Sequence, residues 1–480
     1  MTLFDFIVFI VYMLGMLGVG YYFHLRNKNM DDYYVGGRNM GSLHIGLSVV
    51  ATDVGGGFSI GLGGLGFLIG LSGSWMLFTG LVGAWLSAVF LIPYIKTLSE
   101  KEKFFTFPEV FNYHYGKTAT MLAGIISGIG YLGFTSSQFL AGAKLASAAF
   151  ISLDLQTALI IMGFVAVVYT VLGGIKAVIY TDTVQWIFLI SGLTLLALPI
   201  AYKAVGGWAA ISATLPEAFF TLNNLSWQML VNWIVTILPI WFVGMTLYQR
   251  IYASKSVKSA KRAWYIAGLF EWPIMAFMGV TLGLLARVAY LNGMFATLGF
   301  GPAEAIDAEM GLPLLLRMVL PVGLMGLVMS AYFSAILSTA DSCLMASSSN
   351  MLHDLMQKFF RIKLNNRQMM LVSKLLTLLL GIIAVLIALR LTEVLSLMLY
   401  SYAFMVSGLL IPLLAAVFLK HSSQPAAVWS MLAGGTTTIS LIAVDIALPF
   451  GLDPNIFGIS ASLFTYLCVR MITNSYKSIK

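Results

Sequence analysis

The sequence contains thirteen apolar runs of roughly 20 residues, which recur from one end of the chain to the other. A helix needs about that length to cross a hydrocarbon core of about 30 Å. Only 10% of the residues are charged, whereas soluble domains carry about 25%. The pattern predicts an all-α polytopic membrane protein and argues against a cytosolic enzyme or a nucleic-acid-binding protein. The runs cover approximately residues 4–23, 42–70, 73–95, 119–150, 155–175, 180–202, 229–252, 264–288, 313–346, 368–389, 394–419, 426–447 and 455–474.

Lys and Arg residues are distributed unevenly between the two sides that these spans define. With the N-terminus outside, 21 of the 27 basic residues fall in inside loops, 4 fall outside, and Lys144 and Lys374 lie within spans. Positively charged loops stay on the cytoplasmic side of a membrane. We therefore expect a multi-pass protein of the cell membrane, with the N-terminus outside and the C-terminus in the cytoplasm. The net charge of +8 reflects these cytoplasmic loops. We therefore expect the protein to interact with the lipid bilayer and not with nucleic acid.

Motifs for catalysis are missing from the sequence. Cys343 and Cys468 both lie in apolar runs, which argues against disulfides and thiolate metal sites. The histidines form no HExxH or Ser-His-Asp pattern, and no GxxxxGK[ST] phosphate-binding loop is present. We expect neither an enzyme nor an ATP-driven pump, and no obligate protein partner is implied. A solute sensor is an alternative outside transport, although the sequence shows no cytoplasmic output domain.

Two runs that stand five spans apart contain residues that interrupt helices. Three consecutive glycines (55–57) lie in the second run, and each costs a helix about 1 kcal/mol relative to alanine. Pro239 and Gly244 interrupt the run at 229–252. Close helix packing through small residues is one explanation of the glycines. Interrupted helices at matching positions of two halves are also typical of inverted-repeat transporters, whose binding site lies near the bilayer midplane.

Four carboxylates lie within spans, where each costs at least about 2.5–3.5 kcal/mol and so needs a partner or a function. Lys144 is the nearest candidate for a structural countercharge. We interpret the carboxylate nearest the inner end of its helix, Glu271, as structural. The four residues are Asp53, Asp182, Glu271 and Asp341.

Oxygen atoms suited to a hard cation such as Na⁺ are predicted at the helix break and in the ninth span. In that span Ala335, Ser338, Thr339 and Ser342 share one helical face, and Asp341 points about 60° from Ser338. Serine and threonine hydroxyls often bond back to the carbonyl one turn earlier, which would explain a single hydroxyl. Three hydroxyls and a carboxylate within five positions favour ion binding.

These features resemble the sodium:solute symporter family, which includes proline, pantothenate, choline-type, sialic acid and sugar carriers. The resemblance implies a LeuT-like core of ten helices in two inverted repeats, preceded by one helix and followed by two. The expected segments are an N-terminal helix and loop (1–41), the two repeats (42–203 and 229–420) and two C-terminal helices (421–480). The motifs that carry it occur in family order: Asp32-Tyr33-Tyr34-Val35-Gly36-Gly37-Arg38, Ala51-Thr52-Asp53 with the glycines, Leu172-Gly173-Gly174-Ile175 leading to Tyr180-Thr181-Asp182-Thr183-Val184-Gln185, Gln249-Arg250, and Ser338-Thr339-Ala340-Asp341-Ser342.

The resemblance also implies two Na⁺ sites, and we predict two Na⁺ per solute with one Na⁺, or Na⁺ plus H⁺, as the rival stoichiometries. Asp341 departs from the hydroxyl or small residue of many members and would make the second site more anionic. The first site would use the carbonyls of Ala51, Val54 and Ala335 with the hydroxyls of Ser338 and Thr339; the second would use Asp182, Ser338 and Ser342 with Asp341.

The solute is expected between the interrupted helices and the third and tenth core helices. Phe134 and Trp241 stand where proline carriers usually show tyrosine, which disfavours proline without excluding it. Asp53 matches an aspartate that many amino-acid carriers possess, whereas choline-type members place an aromatic residue there. An amino acid such as proline, or a similar zwitterion or amine, is preferred over choline, pantothenate, sialic acid or a sugar. The candidate contacts are Asp53, Phe134, Ser137, Gln138, Trp241, Thr246, Tyr400 and Tyr402.

Overall fold

The structure, a computed structural model, describes residues 2–24, 30–53, 55–150, 153–172, 175–302, 305–419, 421–444 and 446–478. These residues form helices and connecting loops, and none of them belongs to a β-strand. In lipid, a helix satisfies every backbone hydrogen bond within its own segment, so apolar sequences fold this way. The predicted all-α membrane architecture is confirmed.

The first half of the chain forms twelve helices, and the three consecutive glycines are the first residues of the fourth. A 3₁₀ turn at Gly70–Ser74 and a π-helical segment at Gly192–Ala197 join neighbouring helices. The helices are α1 (Leu3–His24), α2 (Met30–Val35), α3 (Ser42–Asp53), α4 (Gly55–Ile69), α5 (Trp75–Phe90), α6 (Ile92–Glu102), α7 (Pro108–Tyr115), α8 (Lys117–Ala149), α9 (Leu155–Leu172), α10 (Ile175–Ser191), α11 (Leu198–Ala204) and α12 (Gly207–Thr214).

The second half contains ten helices, and two of its long spans include π-helical segments, Glu271–Ala276 and Asn350–Phe359. One pair, α13 and α14, bends by 41° at Gly244, as the sequence predicts. The helices are α13 (Trp227–Val243), α14 (Met245–Ala253), α15 (Val257–Phe270), α16 (Phe277–Leu291), α17 (Ala308–Val319), α18 (Leu324–Ser349), α19 (Asn366–Ala388), α20 (Val394–Phe418), α21 (Gln424–Val444) and α22 (Pro454–Ser478).

Within the described residues, nine helical stretches are long and apolar enough to cross a membrane, and counting the bent pair as one span makes ten. Two shorter apolar helices, Leu3–Val19 and Leu155–Val168, match further predicted spans. The stretch Gly57–Phe90 has 34 residues, about 51 Å of helix, and contains the turn at Gly70–Ser74. If this stretch is counted as two crossings, the nine stretches, the bent pair and the two shorter helices together give the thirteen predicted spans.

One predicted boundary is wrong. The ninth span was expected to begin at residue 313, but α17 ends at Val319 and α18 begins at Leu324. Leu320, which follows α17, is extended, and Gly323, which precedes α18, has a positive φ of 87° that favours glycine. Apolar residues run through both helices, so hydropathy alone does not reveal the break.

The loops rich in Lys and Arg meet at one end of the bundle, which we call the basic face (residues 30–41, 96–116, 253–258 and 358–367). Arg38 donates to the carbonyl of Phe104 at 2.9 Å, and Lys358 forms an ion pair with Glu109. The amide of Met40 donates to the carbonyl of Ala253 at 2.9 Å. These contacts join the loops that the charge distribution assigned to one side of the membrane.

At the opposite face, Lys144 of α8 binds two carboxylates that begin α17. Its Nζ lies 2.5 Å from Asp307 Oδ2 and 2.6 Å from Glu309 Oε2. Glu309 also accepts hydrogen bonds from the amides of Val394 and Leu395, at the start of α20. The expectation that Lys144 neutralises a carboxylate within the spans is wrong, because its partners lie at the end of the bundle. These contacts fasten α17 to α8 and α20.

The core depends on close approach of α4 and α16. A Cβ atom at Gly283 would lie 2.0 Å from the Gly63 carbonyl oxygen, and one at Gly66 would lie 2.1 Å from the Val280 carbonyl oxygen. Only glycine lets two backbones approach this closely. The glycines of α4 therefore serve two purposes, because some pack helices and others form the break.

We predict that Gly283→Ala destabilises the protein, because the added methyl group must push α16 away from α4. Overpacking of this kind costs about 1–3 kcal/mol or more, measurable as a lower thermal unfolding midpoint in detergent. Gly15→Ala is the matched control, since no atom lies within 4 Å of its Cβ position. Equal midpoints for the two variants would contradict the close packing of α4 and α16.

Candidate functional site

The break between α3 and α4 lies directly against α18. Gly55 has a positive φ of 44°, and its Cβ position is only 2.5 Å from the Thr339 hydroxyl oxygen. Thr339 Oγ1 lies 3.1 Å from the carbonyl oxygens of both Ala51 and Ala335. Three oxygen atoms predicted for the first Na⁺ site therefore meet at the break. Val54, a further predicted ligand, lies outside the described residues.

A second group of oxygen atoms surrounds Asp182 of α10. Its carboxylate is fully buried and accepts hydrogen bonds from the hydroxyls of Ser338 and Ser48. Asp182 Oδ2 lies 3.2 Å from Nη2 of Arg250, and the same nitrogen lies 3.1 Å from Ser342 Oγ. Three residues predicted for the second cation site are thus close together, and Ser338 is next to Thr339 of the first.

The sequence places Arg250 among the basic residues of a cytoplasmic loop, and this prediction is wrong. Every residue of α14 is buried, and the Arg250 side chain is 0% exposed. Its Nε donates to Ser48 at 3.0 Å, its Nη2 to Thr52 at 2.6 Å and its Nη1 to the Thr246 carbonyl at 3.2 Å. The bend at Gly244 is followed by a short buried helix, so the guanidinium lies inside the bundle and joins α3, α10, α14 and α18.

Asp341 is fully buried beside this cluster. Thr170 and Asp182 are its neighbours, yet neither of its carboxylate oxygens makes a hydrogen bond of ordinary geometry with the described residues. Arg250 balances one carboxylate, so Asp182 and Asp341 together retain an excess of one negative charge when both are ionised. A buried charge without a partner is costly, and the cluster therefore favours an additional cation.

Several predicted solute contacts gather next to the break. Tyr402 donates its hydroxyl to Asp53 Oδ1 at 3.1 Å, and its ring stacks on Phe134 with centroids 5.1 Å apart. Gln138 accepts a hydrogen bond from the Gly57 amide at 3.2 Å. Asp53, Phe134, Gln138 and Tyr402 therefore form one buried group on α3, α8 and α20, next to the first residues of α4.

The other predicted contacts lie in different environments. The Thr246 amide donates to the hydroxyl of Tyr131 at 3.1 Å, so Tyr131 is a neighbour that the sequence analysis missed. Trp241 is fully buried and packs against Gly83 of α5. The Ser137 hydroxyl bonds back to a backbone carbonyl of its own helix. The structure does not bring Tyr400 to the group. Its side chain is 42% exposed, and it lies about 200° from Tyr402 around the axis of α20, which is nearly the opposite side of that helix.

Glu271 is also part of this region, contrary to its predicted position near a helix end. The helical stretch runs from Val257 to Leu291, so Glu271 lies well inside it, at the start of a π-helical segment. Its carboxyl group neighbours that of Asp53, and Oε2 lies 2.2 Å from the Cβ position of Gly80. Gly80 leaves the space on α5 that this carboxyl group occupies.

Comparison with known proteins places this geometry in a family. The model of the sodium:solute symporter family matches residues 33–434. The chain belongs to the sodium:solute symporter family. This family is a group of transporters, and the resemblance seen in the motifs is confirmed.

The chain is similar to curated proline transporters over nearly its whole length. It is 28% identical to the osmoregulated proline transporter OpuE of Bacillus subtilis, covering 96% of this chain and 94% of that protein. It is 29% identical to the high-affinity proline transporter PutP of the same organism, covering 96% of each. The sodium/proline symporter of Escherichia coli is 27% identical, covering 90% of this chain and 86% of the relative.

Among solved structures, a Na⁺-coupled sialic acid symporter in a substrate-bound outward-open state has the same fold. Its TM-score is 0.78 at 24% identity, and the match covers 97% of both chains. The nucleobase-cation symporter Mhp1 in a closed conformation matches with a TM-score of 0.58 at 14% identity. The chain accordingly has a LeuT-like fold.

We predict energetic coupling between Arg250 and Asp182. Arg250→Gln should cost about 3–5 kcal/mol of unfolding free energy, because it leaves a buried carboxylate without its partner. Adding Asp182→Asn should recover a large part of that loss, as measured in a double-mutant cycle of denaturant unfolding. Arg262→Gln, at an exposed position of α15, is the matched control and should change stability by less than about 0.5 kcal/mol. Additive effects of the two substitutions would show that the pair is not coupled.

Proposed function

We propose that the protein is a Na⁺-coupled secondary active symporter that imports a small organic solute by alternating access. The observation that carries this proposal is the meeting of the Ala51 and Ala335 carbonyls with the Thr339 hydroxyl at the break of α3/α4. Hard cations prefer such oxygen ligands, and the end of an interrupted helix supplies partial negative charge. Membership in the sodium:solute symporter family supports Na⁺ as the coupling ion.

The first Na⁺ would bind at this break, with Val54 and Ser338 completing the ligands. Binding there would hold α3 against α18 and fix the end of the interrupted helix. Asp53 follows Ala51 by two residues, so the ion and a solute at Asp53 would stabilise the same short segment. This shared segment provides a physical link between binding of the ion and binding of the solute.

We propose a second Na⁺ among Asp182, Ser338, Ser342 and Asp341, which gives two Na⁺ per solute. Asp341 supports this site, because it is fully buried and forms no ion pair with the described residues, and Arg250 balances only one of the two carboxylates. A proton in place of the second ion, or a single Na⁺, is the alternative. Reversal potentials under imposed Na⁺ and pH gradients separate these stoichiometries.

We propose that the solute, an amino acid such as proline or a similar zwitterion or amine, lies at the Asp53 group between the interrupted helices. The curated proline transporters among the relatives support this substrate class. Residues 42–203 and 229–420 would be the two inverted repeats, flanked by residues 1–41 and 421–480. Ion pairs join helices at both ends of the bundle, Lys358 with Glu109 at the basic face and Lys144 with Glu309 at the opposite face. Alternating access would require these two sets of contacts to separate in turn.

We predict that Thr339→Val weakens Na⁺ binding while preserving side-chain volume. The Na⁺ concentration for half-maximal thermal stabilisation of the purified protein should rise at least about tenfold, since one ligand oxygen is lost. Thr377→Val is the matched control, because that buried hydroxyl also bonds back to its own helix but lies on α19. An unchanged Na⁺ response in Thr339→Val would refute the first site.

We predict that the basic face is cytoplasmic. In a Cys343→Ser/Cys468→Ser background, a membrane-impermeant maleimide should label Glu217→Cys in intact cells and Lys363→Cys only after the cells are permeabilised. Both positions are exposed in the structure, so accessibility depends on the side of the membrane. The reverse labelling pattern would invert the proposed orientation.

A further inference from the structure

A carboxyl group that the proposed Na⁺ sites do not use lies beside the proposed solute position. Glu271 is 0% exposed, and neither of its oxygens makes a hydrogen bond of ordinary geometry with the described residues. Its neighbour is the carboxyl group of Asp53, whose Oδ1 accepts a hydrogen bond from the neutral hydroxyl of Tyr402. Two carboxyl groups therefore meet in the membrane interior, and neither forms an ion pair with a basic side chain of the described residues.

We propose that Glu271 and Asp53 together bind the ammonium group of the solute, and that the preferred solute is a cationic amine without a free carboxylate. This inference rests on the proposed function, because it places the solute between the interrupted helices. It narrows the substrate class from zwitterions and amines to amines with a net positive charge.

Charge balance at Asp53 and Glu271 favours a cationic solute. Two ionised carboxylates at mid-membrane need positive charge close by, because an uncompensated buried charge is strongly unfavourable. A cationic amine supplies that charge and carries no anion of its own. A zwitterion such as proline brings no net charge and adds a third carboxylate to the same site.

Among the described residues near this group, no basic side chain is free to bind a solute carboxylate. All three nitrogens of Arg250 already donate hydrogen bonds to protein oxygens. Lys144 is held by Asp307 and Glu309 at the opposite face. Two backbone amides in the first turns of α4 and α14 are also occupied, because that of Gly57 donates to Gln138 and that of Thr246 donates to Tyr131.

At the opposite face, a cavity of about 580 Å³ lies over α4. Asp307, Glu309 and Glu393 are among its lining residues, and Lys144 balances only part of their charge. A cleft with an excess of one sign of charge concentrates oppositely charged solutes and speeds their binding. If this face is the extracellular side, a cationic amine would be attracted from outside towards Asp53.

The test compares amino acids with their α-amides, which keep the same skeleton but replace the carboxylate by a neutral group. The probes are proline and prolinamide, glycine and glycinamide, leucine and leucinamide, and lysine and lysinamide, with putrescine added as a diamine. Each is titrated into the purified full-length protein in Na⁺ while thermal stabilisation is recorded. We expect at least one amide to reach half-saturation at a concentration at least about tenfold lower than its parent amino acid, or putrescine to do so at a concentration at least about tenfold lower than lysine.

Glu271→Gln should reduce this preference for the cation to a ratio near one, because it removes the charge but keeps the shape. Glu102→Gln, at an exposed position of α6 away from the Asp53 group, is the control and should keep the wild-type ratio. If Glu271 is merely a protonated structural group, glutamine will fill the same space without changing the charge and will leave the ratio unchanged. If the Glu271→Gln variant does not fold, the ratio of half-saturation concentrations measured on the wild-type protein still tests whether cationic amines are preferred over zwitterions.

Three results would overturn the proposal: zwitterions that bind as well as their amides, a preference for amides that survives in Glu271→Gln, or no stabilisation by any probe. In the last case the Na⁺ response distinguishes the two levels of inference. Stabilisation by Na⁺ alone would leave the proposed symport standing, whereas its absence would count against the Na⁺ sites as well.

Discussion

The buried ion pair between Asp182 and Arg250 holds the centre of this bundle together. Its guanidinium reaches α3, α10 and α18 from the short helix α14, so one side chain joins the two interrupted helices to two of their neighbours. Such a pair is expensive to desolvate and even more expensive to break. These four helices are therefore constrained to meet at one point, and the oxygen-rich region around Ser338 lies at that point.

The interrupted helix α3/α4 gains its chemistry from this constraint. Gly55 allows Thr339 to approach the backbone, and the carbonyl of Ala51 then faces that hydroxyl at 3.1 Å. A continuous helix would use the Ala51 carbonyl in its own hydrogen-bond ladder, whereas a broken one leaves it available. The proposed first Na⁺ site thus follows from glycine at the break together with packing against α18. Asp53, two residues on, connects the same segment to the proposed solute site.

The sequence was sufficient to predict the membrane class, the number of spans and both helix breaks, because hydropathy, glycine and proline act locally. It did not reveal tertiary partners. Lys144 was expected to balance a carboxylate inside the bundle, but its helix carries it to Asp307 and Glu309. Arg250 was counted with loop residues because basic residues follow it closely in the sequence. Glu271 appeared to be near a helix end because the charged start of its helix, from residue 257, lies outside the apolar run.

The central claim is that the break between α3 and α4 binds Na⁺ against α18. Equilibrium binding of radioactive sodium to the purified protein tests it most directly and requires no knowledge of the solute. The account predicts saturable binding of two Na⁺ per chain, displaced by unlabelled Na⁺ and unaffected by an equal concentration of K⁺. Binding that does not saturate, or that K⁺ displaces equally well, would contradict it.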